Sequence, residues 1–355
     1  MGPLKTGVTT TVRRRLDFPD DCLKPVGMIK KLLITGVLLV PMGAVLANDT
    51  MAELPAGGLV FTKTGDVEMR SEDLQISEKS VDVLYHFYNH SMNPVTSLVA
   101  FPMPDINQSW GYSPIAIPSQ DPENLLGFIT TVNGKKVHAW IEQKAMVGEV
   151  DRSKLLRDLH IPLAPHLKVT WDAINRLKAS QIKKLLAAGL VGDAGTDFGN
   201  GQRKEYAPNW RLKSAFYWEQ TFPPQKETVI HHHYMPAVGG SSLTSQSVGK
   251  GKADHSYDKY GIDSSFVAAF NKRAPSKNGP PWSEYRIRYV LKTGANWAKP
   301  IGAFRLVVDK GAQENLVSFR GDRVKKISPT QFEMTKTNFT PTRDIDILIL
   351  KPVKE

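Results

Sequence analysis

The chain has 355 residues, enough for a full core, and 41% are hydrophobic and 23% charged, an ordinary globular balance. Its 24 Pro and 27 Gly predict short strands with many turns rather than long helices. The formal net charge of +11 suits an anionic partner, but Lys and Arg are dispersed rather than blocked, which argues against nucleic acid.

Met28–Ala47 has the pattern of a secretory signal peptide. Lys30 and Lys31 form a basic start, Leu32–Val40 is apolar, and Val45-Leu46-Ala47 places a small residue at the cut. Cleavage between Ala47 and Asn48 is expected, giving a periplasmic or secreted product. The alternative, a transmembrane anchor, is opposed by the short apolar run and by Gly36 and Pro41. No transmembrane anchor is expected in the mature form, and no lipid anchor either, because Asn48 stands where a lipoprotein carries Cys. Residues 1–27 read as an over-extended, unstructured start, with Met28 as the initiator, or else as a long n-region. The single cysteine, Cys22, lies in this leader. The mature chain therefore has no disulfide, no thiolate nucleophile and no Cys-ligated metal.

In the mature chain, residues 59–62, 67–70 and 73–77 are short strand candidates. Residues 80–89 place Val81, Val83, Tyr85 and Phe87 on one face, and 95–103 do the same with Val95, Val99 and Phe101. His90–Pro94 joins these two strands with turn chemistry. Asn133-Gly134 between 128–132 and 135–141 predicts a hairpin on a type I′ turn. The period then changes. Residues 151–159 read as helix, Thr170 is placed to cap 171–177, and Ser180 to cap 181–188 with Gly189 as the stop.

Residues 214–240 read as a hairpin, with strands at 215–222 and 228–235 joined by Pro223-Pro224. Phe216, Trp218 and Phe222 share one face and Tyr217, Glu219 and Thr221 the other. An arm so apolar on one side needs a second sheet to cover it. After a Ser/Gly/Lys-rich stretch, Asp263 is placed to cap a helix through Phe270, and strand candidates run from Tyr285 to Leu350. The expected fold is mainly β: an antiparallel β-sandwich (48–240) with a helical insertion at about 148–201, a flexible loop and short helix (241–280), and a second β-rich C-terminal lobe (281–355).

Four stretches, AELPAGGLVFTKT (52–64), MRSEDLQIS (69–77), VAFPMPDI (99–106) and FYWEQTFPP (216–224), resemble the exported bacterial domain-of-unknown-function family 4424. That resemblance covers nearly everything from Asn48 onward and implies export and a shared fold, with no catalytic residue to carry over. The order YHFYNHSMNP, AFPMP, FITTVNGKKVHAWIEQKA, then FYWEQTFPPQKETVIHHHYMP is similar to vault/inter-α-trypsin (VIT) β-sandwich domains. This likeness implies a sandwich with a binding or structural role. The long helical insertion departs from it.

Two sites stand out. His231 and His233 lie two apart on a strand, so they share a face and can ligate one metal, with His86, His90, His255 or Asp254 as a third ligand. A stacked, partly exposed histidine run is the alternative. Trp110 and Tyr112, on a Pro-rich loop, can form a stacking platform for a sugar ring or fold down as a lid. No Gly-x-Ser-x-Gly elbow, His-Glu-x-x-His, P-loop or dinucleotide fingerprint occurs. The expectation is a non-enzymatic envelope protein without a cofactor, binding or scaffolding an envelope partner such as an anionic glycan or lipid surface. The alternative is a metal-assisted envelope hydrolase using His231 and His233.

Overall fold

The structure is a computed structural model and describes residues 49–54, 59–107, 115–196, 204–242, 255–273 and 282–352. The expected signal segment, the Ala47–Asn48 junction, and Trp110 and Tyr112 lie outside these residues.

The described chain is mainly β, as the alternating patterns predict. One sheet runs Val150–Asp151, Trp140–Val147, Arg211–Phe222, Val95–Pro102, Thr50–Glu53, Val60–Thr62, with Ile106–Asn107 also on Arg211–Phe222. A second runs Lys325–Lys326, Gln331–Phe339, Ile301–Asp309, Val67–Ile76, Val81–Asn89, Glu227–Tyr234, Ile129–Val132, Lys135–Val137. The two pack face to face through aromatic side chains. Phe87 of the second sheet meets Phe222 of the first at 5.8 Å between ring centroids, and Phe101 of the first meets His232 of the second at 4.8 Å. The inward residues of each alternating strand, among them Val81, Val83, Tyr85, Phe87, Trp218 and Phe222, are buried as expected.

The 214–240 hairpin is corrected. Arg211–Phe222 pairs in the first sheet and Glu227–Tyr234 in the second, so Pro223-Pro224 carries the chain across the core edge. Val81–Asn89 and Val95–Pro102 are split between the sheets in the same way. The physical reason is that both arms of each unit bear a bulky face, and facing sheets bury both faces at once. Asn89 holds the two arches together. Its Nδ2 donates to the carbonyls of Asn93 (2.8 Å) and Phe222 (3.0 Å), and its Oδ1 accepts from the Ser91 amide (2.9 Å). The Asn133-Gly134 hairpin forms as predicted, with φ of 48° and 78°.

The C-terminal strands divide. Ile301–Asp309 lies parallel to Val67–Ile76 and carries Gln331–Phe339 outside it, so residues more than 200 apart in sequence share a sheet. Trp282–Tyr289, Ile345–Pro352 and Leu316–Phe319 build a five-stranded sheet with Val238–Ser242 and Ile115–Ala116. One face of this sheet joins the main core through Ile287, Tyr289 and Ile347. The other is covered by Phe266 and Phe270 of the helix Ser264–Arg273, which explains why Ile347–Leu350 is buried on both sides. Asp263 caps that helix as expected, its Oδ1 accepting the Phe266 amide at 2.8 Å.

At the parallel junction Gly302 meets the bulge between Met69 and Ser71, and a Cβ at Gly302 would stand 2.6 Å from the Arg70 carbonyl oxygen. Because backbone rather than a flexible side chain blocks it, Gly302→Ala is expected to cost about 1–3 kcal/mol. Urea unfolding reads this, and an unchanged midpoint would contradict the parallel pairing.

The helices Ser153–Asp158, Lys168–Asn175 and Ala179–Ala187 are inserted between two strands that are direct neighbours, Trp140–Val147 and Arg211–Phe222. Two expected caps are corrected. Thr170 lies inside its helix, where its hydroxyl donates to the Ala164 carbonyl at 2.7 Å, and Leu167 holds the cap position. Ser180 is likewise inside, and Gln181 accepts the amide of Lys178, the residue at the cap, at 3.0 Å. Gly189 ends the helix at φ 72°, as predicted.

Candidate functional site

The strand Glu227–Tyr234 splits the histidine run. Ile230 and Tyr234 point inward, so His232 does too, and His231 and His233 face outward together. Between the two outward rings stands Asp82 of the neighbouring strand, its Oδ1 2.8 Å from His233 Nδ1 and 3.6 Å from His231 Nε2. His86 Nδ1 lies 3.0 Å from Glu227 Oε1, and His90 Nε2 lies 2.9 Å from Glu68 Oε2. Each of these imidazoles faces a carboxylate as a hydrogen-bonding or ionic partner. Among the described residues no group of three or more His, Cys, Asp or Glu is placed to hold a metal ion. Asp254 and the His255 side chain fall outside the described residues.

Glu68 is the most connected acid on this face. Burial pushes its pKa up, but hydrogen bonds from Lys299, His90 and Arg70 outweigh that and bring it down to about 2. Arg70 in turn lies over the Tyr88 ring, 3.5 Å from its centroid. A lowered folded pKa means that unfolding takes up a proton here. The stabilisation is therefore complete above pH about 4.5 and is lost as pH falls through about 2. The expected result is that wild type melts above Glu68→Gln at neutral pH and that the gap closes towards pH 2. A gap independent of pH would contradict the ionic role.

His232 makes a buried pair that the sequence pattern does not predict. Its Nε2 lies 2.9 Å from Asp49 Oδ1, and both side chains are 0% exposed. The rings of Phe101, Phe128, Trp218 and Tyr85 surround the imidazole at centroid distances of 4.8–5.6 Å. Burial raises the Asp49 pKa, opposed by the attraction of His232 and its hydrogen bond. The Asp49 carbonyl also accepts from Trp297 Nε1 at 2.7 Å. Nearby, the Tyr85 and Tyr289 hydroxyls lie 2.8 Å apart, and Tyr289 donates to Glu72 at 3.2 Å. This enclosed cluster ties the first described residues to the core. Strand alternation alone could have placed His232 inside, since Ile230 and Tyr234 are large and apolar.

The open site lies at the far edge of the sandwich. The chain leaves the edge strand Lys135–Val137 of the second sheet and, two residues later, enters Trp140–Val147 of the first. A groove of about 730 Å³ opens beside this crossing. Phe128 and Phe216 form its floor, stacked at 4.4 Å with their planes 14° apart. Trp140 and Tyr217 are register partners on the outer face of the first sheet, so their rings meet at 5.9 Å and 33° and form the rim. Trp140 is 50% exposed, and His138 stands edge-on to it at 5.5 Å. The facing wall is a turn in which Asp121 accepts the Glu123 amide at 2.9 Å and Gln143 donates to the Pro122 carbonyl at 2.7 Å. Lys136 completes the lining. The sequence expectation of an aromatic platform at Trp110 and Tyr112 falls outside the described residues, and it does not include Trp140 and Tyr217. The available signal was Tyr217, an aromatic on the polar face with Glu219 and Thr221.

The family model described as "Domain of unknown function (DUF4424)" matches residues 47–348. No curated protein matches the chain. Among solved structures, the chain is similar to a candidate nutrient binding protein from Legionella pneumophila subsp. pneumophila str. Philadelphia 1, at TM-score 0.39 and 17% identity over 86% of this chain and 70% of that one. It is also similar to the M1 zinc metallopeptidase from Deinococcus radiodurans, at TM-score 0.24 and 8% identity over 81% of this chain and 43% of that one. At these scores neither neighbour carries an argument about function.

Proposed function

We propose, from the premise that the chain belongs to the DUF4424 family, that it is an exported, non-enzymatic β-sandwich that binds a saccharide of the cell envelope. The observation that carries this is the groove with Trp140 and Tyr217 at its rim. Rigid aromatic faces gain contact with the C–H face of a sugar ring at small entropic cost, while Asp121, Glu123 and Lys136 offer acceptors and a donor for hydroxyl groups. The mixed charge of this lining favours a neutral or amino sugar over a polyanion.

Asp121 and Glu123 stand on one turn, and among the described residues no carboxylate lines the aromatic wall opposite, so the described lining does not place two acids across a bond. That favours binding over hydrolysis. Export is supported by the signal pattern and by a family match that starts at residue 47, beside the expected cut. Among the described residues no helix is long and apolar enough to cross a membrane.

Titration with envelope oligosaccharides, followed by tryptophan fluorescence, tests the binding; the expected result is saturable quenching, and no response from any neutral or amino sugar oligomer would overturn it. Sequencing the N-terminus of protein recovered from the periplasm or medium tests the export; it should begin at Asn48, and a start at Met1 would refute processing.

A further inference from the structure

Lysine and arginine are dispersed along most of the sequence, but four of them fall within residues 320–327, and the fold brings Lys336 and Arg343 beside that stretch. Residues 320–327, RGDRVKKI, lead from the strand Leu316–Phe319 into Lys325–Lys326, the outermost strand of the eight-stranded sheet, and every one of them is exposed. Arg320, Arg323, Lys325 and Lys326 oppose a single acid, Asp322. Lys336 donates a hydrogen bond to Asp322 at 2.5 Å, which, with the charges of Lys336, Arg323 and Arg343, holds the pKa of that carboxylate below the usual range. Arg320, Lys336 and Arg343 line one depression of about 310 Å³, together with Asp322 and with Asp344, which is already paired with Arg288. Arg323, Lys325, Lys326 and Arg343 form no salt bridge among the described residues.

Lysines on an edge strand have an ordinary use, which is to block pairing with another sheet. They do not account for the apolar side chains between them. Val324 and Ile327 are 37% and 44% exposed, interleaved with the cations. Exposed aliphatics add no protection against edge pairing. A soluble polyanion would satisfy the Lys and Arg and offer nothing to Val324 or Ile327. The boundary of an anionic bilayer takes both: headgroup phosphates meet the cations, and methyl groups reach the acyl region.

We propose that residues 320–327, with Lys336 and Arg343, form a docking surface for an anionic lipid bilayer. The geometry suits a bound ligand as well. Lys325–Lys326 and the groove strands Ile129–Val132 and Lys135–Val137 occupy opposite edges of one eight-stranded sheet. At about 4.8 Å per strand step, that separates them by roughly 30 Å, so the groove stays clear of the membrane.

Co-sedimentation with large unilamellar vesicles tests the proposal, using the chain as purified and variants that share its N-terminus. Binding to phosphatidylcholine vesicles containing about one third phosphatidylglycerol should exceed binding to pure phosphatidylcholine by at least about tenfold and weaken with added salt. Lys325→Glu with Lys326→Glu should weaken it at least about tenfold, and so should Val324→Ser with Ile327→Ser, with thermal melting unchanged in both. Arg323→Ala with Arg343→Ala gives an independent reading of the charge requirement and should also weaken binding. Equal binding to both vesicle types, or wild-type binding by the charge variants, would overturn the proposal. Full binding by the Val324/Ile327 variant, with soluble polyphosphate displacing the vesicles, would overturn it in favour of a polyanion site. Saccharide titration of the groove should be unaffected by these variants, so the two readings fail separately.

Discussion

Asp49→Ala is expected to lower stability by about 3–5 kcal/mol. Asp49 and His232 are both fully buried and 2.9 Å apart, inside a shell of aromatic rings. Removing the carboxylate leaves an imidazole nitrogen without its acceptor, where water cannot replace it. His232→Ala leaves the carboxylate stranded and opens a cavity among Phe101, Phe128 and Trp218, so its cost is of the same order. Asp49→Asn keeps an amide oxygen and should cost less than Asp49→Ala. The double variant Asp49→Leu/His232→Phe removes both polar partners and fills the space, so it should lose less than the sum of the single losses. Chemical denaturation of the four variants checks this. Additive losses would mean that the two residues do not act as a pair.

Trp140→Ala should weaken saccharide binding by roughly 10- to 100-fold, since a stacked aromatic contributes contact area plus about 0.5–1.5 kcal/mol from its π face. Its stability should stay within about 0.5 kcal/mol of wild type, because the ring is half exposed and meets His138 and Tyr217 at the rim. Tyr217→Ala should act in the same direction with a smaller loss, and Trp140→Phe should recover part of the affinity by restoring an aromatic face. Parallel titrations of the three variants separate these. A Trp140→Ala protein that binds like wild type would move the site elsewhere.

Much of the fold was legible in alternation. The inward sets Val81/Val83/Tyr85/Phe87 and Phe216/Trp218/Phe222 are buried as their period-two spacing requires. Asn133-Gly134 gave its hairpin because turn chemistry is local. The arches at Asn89–Pro94 and Pro223-Pro224 were not legible, because a hairpin and a sheet-to-sheet crossing have the same alternation and differ only in what each arm pairs with. For the same reason the parallel pairing of Ile301–Asp309 with Val67–Ile76 leaves no mark in either segment.

Sites divide along the same line. The outward placement of His231 and His233 follows from strand period, but Asp82 comes to them only through register. Trp140 and Tyr217 become one surface because position 140 pairs with 217, a fact of register rather than of composition. The basic edge is different again: residues 320–327 are contiguous, yet their meaning depends on an exposure and an edge position that sequence does not state.

A bound saccharide should sit in the Trp140 groove, and hydrogen exchange tests this most directly. Amide protection should rise in residues 121–141 and 214–218, the segments that line the groove, and stay unchanged in 81–90 and 227–234, which carry the outward histidines. Protection centred on the His231/His233 face, with none around Trp140, would contradict the account.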